Sequence, residues 1–179
     1  RSPVFLPSLT SSFLEGKKFK KEKENLTRQL FATLNKTAFS NRLPADMPVL
    51  WSKTLTSTAG VTTTIRGQGG LKSVRIQLAT KVVDDSWKLC RTLAHEMCHA
   101  AVALIDNSQG PAHGNLFWKW ANQVMRAHPG LVVNTCHNYE IEYKYYWKCS
   151  KCGSMTGIFL FFSICLGFFF DFEQRETLE

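Results

Sequence analysis

The chain has 179 residues, 44% hydrophobic and 20% charged, with a formal net charge of +8. That length suffices for one domain with a real core plus an appendage, and that balance excludes an intrinsically disordered chain. Residues 171–179 hold four acids and one arginine, which leaves 21 cations against 10 acids elsewhere, a surplus that suits nucleic acid or an anionic membrane surface as partner.

Six cysteines without an N-terminal secretory segment do not read as a disulfide framework, and a reducing compartment is expected. Residues 1–16, with Pro3 and Pro7, read as an unstructured lead-in. Lys17, Lys18, Lys20, Lys21 and Lys23 then crowd together with Glu22 and Glu24, either as a solvated helix start or as phosphate contacts, Lys20 and Lys21 being the candidates. From Leu26 to Ala38, the residues Leu30, Phe31, Leu34 and Ala38 recur at helical spacing, and Pro44 and Pro48 close the helical region. Three strands follow at 49–51, 61–65 and 73–78. Gly67-Gln68-Gly69-Gly70 lies between the last two, and without the lysine and helix of a P-loop it reads as a hairpin turn.

Between Asp84 and Ile105, Leu89, Leu93, Met97, Ala101 and Leu104 form one apolar stripe at helical period, opened by Asp84-Asp85-Ser86 and stopped by Asp106 to Pro111. This helix carries His95-Glu96-Met97-Cys98-His99. Side chains four apart share a helix face, so His95 and His99 can reach one metal ion, with Glu96 placed to handle the proton of a bound water. A catalytic zinc usually takes three protein ligands. The best third is His113, in the turn that opens a second amphipathic helix with Phe117, Trp118, Trp120, Ala121, Val124 and Met125. His128-Pro129-Gly130 ends that helix, and His128 and His137 read as structural.

Beyond it, Tyr139, Tyr143, Tyr145, Tyr146 and Trp147 interleave with Lys144 and Lys148. Such a segment either stacks on unpaired bases, with Lys144, Tyr146, Trp147 and Lys148 as contacts, or packs as an aromatic strand. Cys149 and Cys152 have the spacing of half a zinc ribbon, whose other cysteine pair should follow about 15–20 residues later. Only Cys165 follows, with Cys136 and His137 upstream, so a second, structural zinc site is incomplete. Residues 155–170 are strongly apolar but short of the roughly 20 needed to span a bilayer. A truncated or alternatively joined C-terminus, a marginal membrane segment and a strand pair packed on the domain are the three readings, in that order.

His95-Glu96-Met97-Cys98-His99-Ala100-Ala101 followed by Gly110-Pro111-Ala112-His113-Gly114-Asn115-Leu116-Phe117 resembles the SprT-like metalloprotease family, and within it the germ cell nuclear acidic protein branch. Phe19-Lys20-Lys21, Leu43-Pro44, His128-Pro129 and Cys136-His137-Asn138-Tyr139 extend the likeness over about residues 17–153. The resemblance implies an α+β, zincin-like domain at 17–135, in which a small sheet of about three strands packs on a catalytic helix and two further helices. A partial zinc-ribbon-like segment at 136–154 and an atypical hydrophobic, then acidic, C-terminus at 155–179 follow. It also implies a nuclear zinc endopeptidase that cleaves proteins crosslinked to DNA, with single-stranded DNA as a partner and no membrane. Further, it implies that the strand before the catalytic helix borders the cleft and offers its edge to substrate. The other reading of the same residues is a catalytically inactive, zinc-stabilised DNA-binding or scaffold module.

Overall fold

A computed structural model describes residues 14–67, 72–134, 145–149, 155–158 and 170–173. The chain divides into two compact units, Arg1–His137 and Asn138–Glu179.

In the first unit, helix α1 spans Gly16–Ala38. It starts ten residues before the apolar periodicity suggests, because Phe19 lies seven residues before Leu26 on the same face and is buried with it. Lys20 and Lys21 are exposed on this helix, so the lysine run is part of a regular helical surface. The helix ends where Ser40 and Asn41 turn into the left-handed region, with φ 54° and 55°. The N–H of Asn41 donates to the Asn35 carbonyl at 2.8 Å. The buried Asn35 side chain then imitates a backbone pairing, donating to the Leu43 carbonyl at 2.9 Å and accepting from the Leu43 N–H at 3.2 Å.

Strands β1 (Val49–Ser52), β2 (Gly60–Arg66) and β3 (Lys72–Ala79) form a mixed sheet in the order β1-β3-β2. β1 runs parallel to β3, and β2 runs antiparallel to it as a hairpin partner, with Arg66 opposite Lys72. Val74, Ile76 and Leu78 of β3 are buried while Ser73 and Arg75 are exposed, so one face of the sheet is covered and the other is open.

Helix α2 (Ser86–Leu104) covers that face, packing on β2 and β3. Its N-cap is Asp85, whose carboxylate accepts from the Lys88 N–H at 2.7 Å. The chain before α1 is clipped to this same end. The Leu14 N–H donates to Ser86 Oγ at 3.1 Å, the Ser86 N–H donates to the Leu14 carbonyl at 3.0 Å, and Glu15 bridges to Asp85. Helix α3 (Asn115–Ala127) packs on α2 and α1 through Phe117, Trp120, Ala121 and Val124. Phe39 stacks on Trp120, with ring centroids 5.5 Å apart, and closes the core at the end of α1. The result is a small α+β architecture of three helices and a three-stranded mixed sheet.

The implied role of β3 needs correction. β3 is the central strand, with both edges already paired, so it has no free edge to offer. The edge strand beside α2 is β2.

The second unit contains β4 (Tyr145–Cys149), β5 (Met155–Ile158) and β6 (Phe170–Glu173), antiparallel in the order β5-β4-β6. Tyr146, Trp147, Lys148 and Cys149 lie on its central strand, whereas Lys144, Cys152 and most of the apolar run at 159–169 lie outside the described residues. Among the described residues no helix is long and apolar enough to cross a membrane.

Candidate metal centre

One helix and one turn bring the three predicted histidines together. His95 and His99 are four apart on α2, and His113 sits in the turn just before α3. Their nitrogens converge, with His95 Nε2 3.0 Å from His99 Nε2 and 3.2 Å from His113 Nε2. All three ligand atoms lie within 4.8 Å of one another, the only such trio of His, Cys, Asp or Glu found among the described residues. Imidazole nitrogens about 2.0–2.1 Å from a tetrahedral zinc would be about 3.3 Å apart, so the donor set has the spacing and chemistry that zinc takes.

The tautomer of His95 is set by a partner outside the trio. Its Nδ1 lies 2.8 Å from the Asn134 carbonyl, which can only accept, so Nδ1 is the donor there and Nε2 is turned toward the other two imidazoles. Beneath the trio Phe117, 1% exposed, places its ring centroid 4.7–4.9 Å from all three imidazoles. A flat apolar floor limits how far each ring can turn.

The return of the chain from α2 to His113 is fixed by Asp106. Its carboxylate accepts from Trp120 Nε1 at 2.6 Å and from Lys119 Nζ at 2.7 Å, tying the end of α2 to α3. Burial alone would raise the Asp106 carboxyl. The hydrogen bonds from Lys119 and Trp120, with the charges of Lys119 and Arg42, outweigh it and hold the group below the usual carboxylate range. Asn107 follows at φ 50° and turns the chain.

Glu96 is 2% exposed, and its carboxylate faces β2. Thr62 Oγ1 lies 2.6 Å from Glu96 Oε2 and 3.0 Å from the Glu96 carbonyl oxygen. β2 approaches this closely because Gly60 has no side chain. A Cβ there would stand 2.8 Å from Thr92 Cγ2 and 2.9 Å from Glu96 Cγ. Cys98, inside the same motif, is fully buried and outside the trio. Burial, and then the charge of Glu96, pushes its thiol far up, so it is kept from thiolate chemistry.

Sequence pattern marks Gly60 only as a turn, where the structure opens β2 with it, and Asp106 only as part of the stop after α2; it does not mark Thr62 or Asn134 as site residues. The Thr62 hydroxyl and the Asn134 backbone carbonyl leave no mark in residue spacing, whereas Asp106, directly after a helix that leads to a ligand, was the one visible signal. Lys20 and Lys21 lie on α1 and are not part of this centre. His128, 4% exposed, is also outside it, with Nε2 2.7 Å from Thr37 Oγ1.

Comparison with known proteins gives the family. The model of the SprT-like family matches residues 27–137, which include α2, the turn and α3. The chain is 37% identical over 142 residues to the germ cell nuclear acidic protein of Drosophila melanogaster, covering 79% of this chain and 13% of that protein. It is 33% identical over 159 residues to an HMG box-containing protein of Schizosaccharomyces pombe, covering 82% and 44%. It is 31% identical over 128 residues to the DNA-dependent metalloprotease SPRTN of Xenopus tropicalis, covering 69% and 29%. The chain thus spans less than half the length of each of these relatives. With the family match running through both helices that converge on the histidine trio, the chain belongs to the SprT-like family.

Proposed function

We propose that the chain is a zinc-dependent endopeptidase of zincin type that acts on proteins held on DNA, in the nucleus. The observation that carries this reading is the convergence of His95, His99 and His113, with the buried carboxylate of Glu96 one residue from the first ligand. A zinc ion held by the trio supplies Lewis acidity and brings the pKa of bound water to near 7.

The chain's own residues do the rest. Glu96 takes the proton of the attacking water as the water's oxygen bonds to the peptide carbonyl carbon, then delivers it to the leaving amine as the C–N bond breaks. Asn134 keeps His95 Nε2 aimed inward, and Phe117 excludes water from beneath the centre. β2 supplies a rail for substrate. The Ala79 N–H donates to the Ala59 carbonyl, and alternation from that pair directs the backbone groups of Gly60, Thr62 and Thr64 away from β3, to an edge that no described strand pairs. An extended peptide pairing there would lie alongside α2.

The DNA component of the proposal is supported by the cationic surplus and by likeness to a protein named a DNA-dependent metalloprotease. Lys20, Lys21, Lys144, Tyr146, Trp147 and Lys148 are its proposed contacts with single-stranded DNA, and Cys149 and Cys152 a proposed partial second zinc site. The test is cleavage of a DNA-bound protein by the parent chain and by Glu96→Gln, with and without DNA. Loss of a general base should lower the rate by about 10²–10⁴. Equal rates for the two chains would remove the proposed base and leave a zinc-stabilised scaffold.

A further inference from the structure

We propose that Thr62 is a positioning residue that holds the Glu96 carboxylate from the edge strand, so that a peptide paired with β2 meets a base already oriented. The inference rests on the reading of Glu96 as the base, and it adds the group that aims it.

Three observations converge on this role. First, Thr62 Oγ1 is within hydrogen-bond distance of both the side chain and the backbone of residue 96, at 2.6 Å from Oε2 and 3.0 Å from the carbonyl oxygen. A hydroxyl has one proton, and both neighbours accept, so the proton is directed into residue 96 and not toward solvent. The shorter contact, to the carboxyl oxygen, is within the range of a strong O–H···O hydrogen bond. Second, the approach is built into the fold. Gly60, two residues earlier on the same strand, is the position where a Cβ would meet Thr92 Cγ2 and Glu96 Cγ below 3.0 Å. The strand is pressed against the helix at the point where the carboxylate emerges. Third, Thr62 belongs to the set of β2 residues whose backbone groups face away from β3, toward an edge that no described strand pairs, while its side chain faces α2. One residue therefore touches the base with its side chain and offers backbone groups to an incoming strand.

A glutamate side chain without such a tether would sample several rotamers, and a misplacement of about 1 Å in a reacting group can cost on the order of a hundredfold in rate. The Thr62 hydroxyl is the group that meets the carboxylate.

The test uses the full chain loaded with zinc, and compares Thr62→Val, which keeps the shape and loses the hydroxyl, with Thr62→Ser, which keeps the hydroxyl. With a DNA-bound protein as substrate, Thr62→Val should lower kcat about tenfold to a hundredfold, with KM changed less than about twofold. Thr62→Ser should recover kcat to within about threefold of the parent. Bound zinc per chain, measured by chelator release, should be the same in all three. Crystal structures of the parent and Thr62→Val should show the Glu96 carboxylate beside residue 62 in the first and turned away in the second. Parent-like kcat in Thr62→Val, equal impairment in Thr62→Ser, or an unmoved carboxylate would each overturn the proposal. Should the parent itself cleave nothing, the endopeptidase reading fails, and the paired structures still decide whether Thr62 aims the side chain.

Discussion

His95 and His128 are equally buried, each 4% exposed, yet they sit in regions built for opposite purposes. At the junction of α1 and α3, His128 faces the Thr37 hydroxyl, whose proton already goes to the Thr33 carbonyl at 2.8 Å. The ring's Nε2 lies 2.7 Å from that hydroxyl, and the contact closes a pair between two helices. In the metal centre, His95 Nδ1 donates outward to Asn134 and Nε2 faces two other imidazoles. Burial and residue type are the same in the two places. What differs is what each Nε2 meets: two other imidazoles for His95, a threonine hydroxyl for His128.

The largest expected effect breaks the comparison at its functional end. His95→Ala should abolish stoichiometric zinc binding and reduce proteolysis to background, whereas His128→Gln should bind one zinc per chain like the parent. Metal content by mass spectrometry of the native protein checks this, and loss of zinc in both variants would contradict the distinction. Next, Gly60→Ala should destabilise the fold by about 1–3 kcal/mol through overpacking of β2 against α2, with a fall in activity as Glu96 is displaced. Denaturant midpoints and cleavage rates measure the two. The contact between helices comes after that: His128→Gln should lower stability by about 1–3 kcal/mol, the cost of leaving a buried polar partner unmet.

The smallest effect concerns Asp106. Its carboxyl is held below the ordinary range in the folded chain, so it stabilises the native state at pH values above the unfolded pKa of about 3.9, and that stabilisation fades as pH falls through the lower folded value. Asp106→Asn should therefore lower Tm at pH 7 by an amount equivalent to about 1 kcal/mol, with parent and variant converging in acid. A gap in Tm that widens below pH 4 would reverse the sign.

Much of this was legible in the sequence, for identifiable reasons. Helix α2 announces itself because Leu89, Leu93, Met97 and Ala101 keep one period between a run of cap residues and a glycine-proline stop, and β3 does so because burial alternates along it. The metal trio follows from two spacings on known elements. Three things were not legible. The buried face of α1 ahead of Leu26 is hidden because Phe19 stands alone among lysines that show only a solvated helix start. The strand order is hidden because a parallel pairing between β1 and β3 requires a crossover that local pattern does not encode. The partners of the site are hidden because a backbone carbonyl at Asn134 has no residue-type signature, and Thr62, whose hydroxyl meets Glu96, is the first of three consecutive threonines that pattern does not distinguish.

The clip that joins Leu14 and Glu15 to the first turn of α2 reaches beyond the stretch that defines the family. The family match begins at Thr27, in the middle of α1, so a boundary drawn from that match would cut a helix in two and release the strap at the first turn of the helix that carries His95 and His99. For this protein the smallest piece that folds as a unit has to be chosen by hydrogen bonds, starting at or before Leu14.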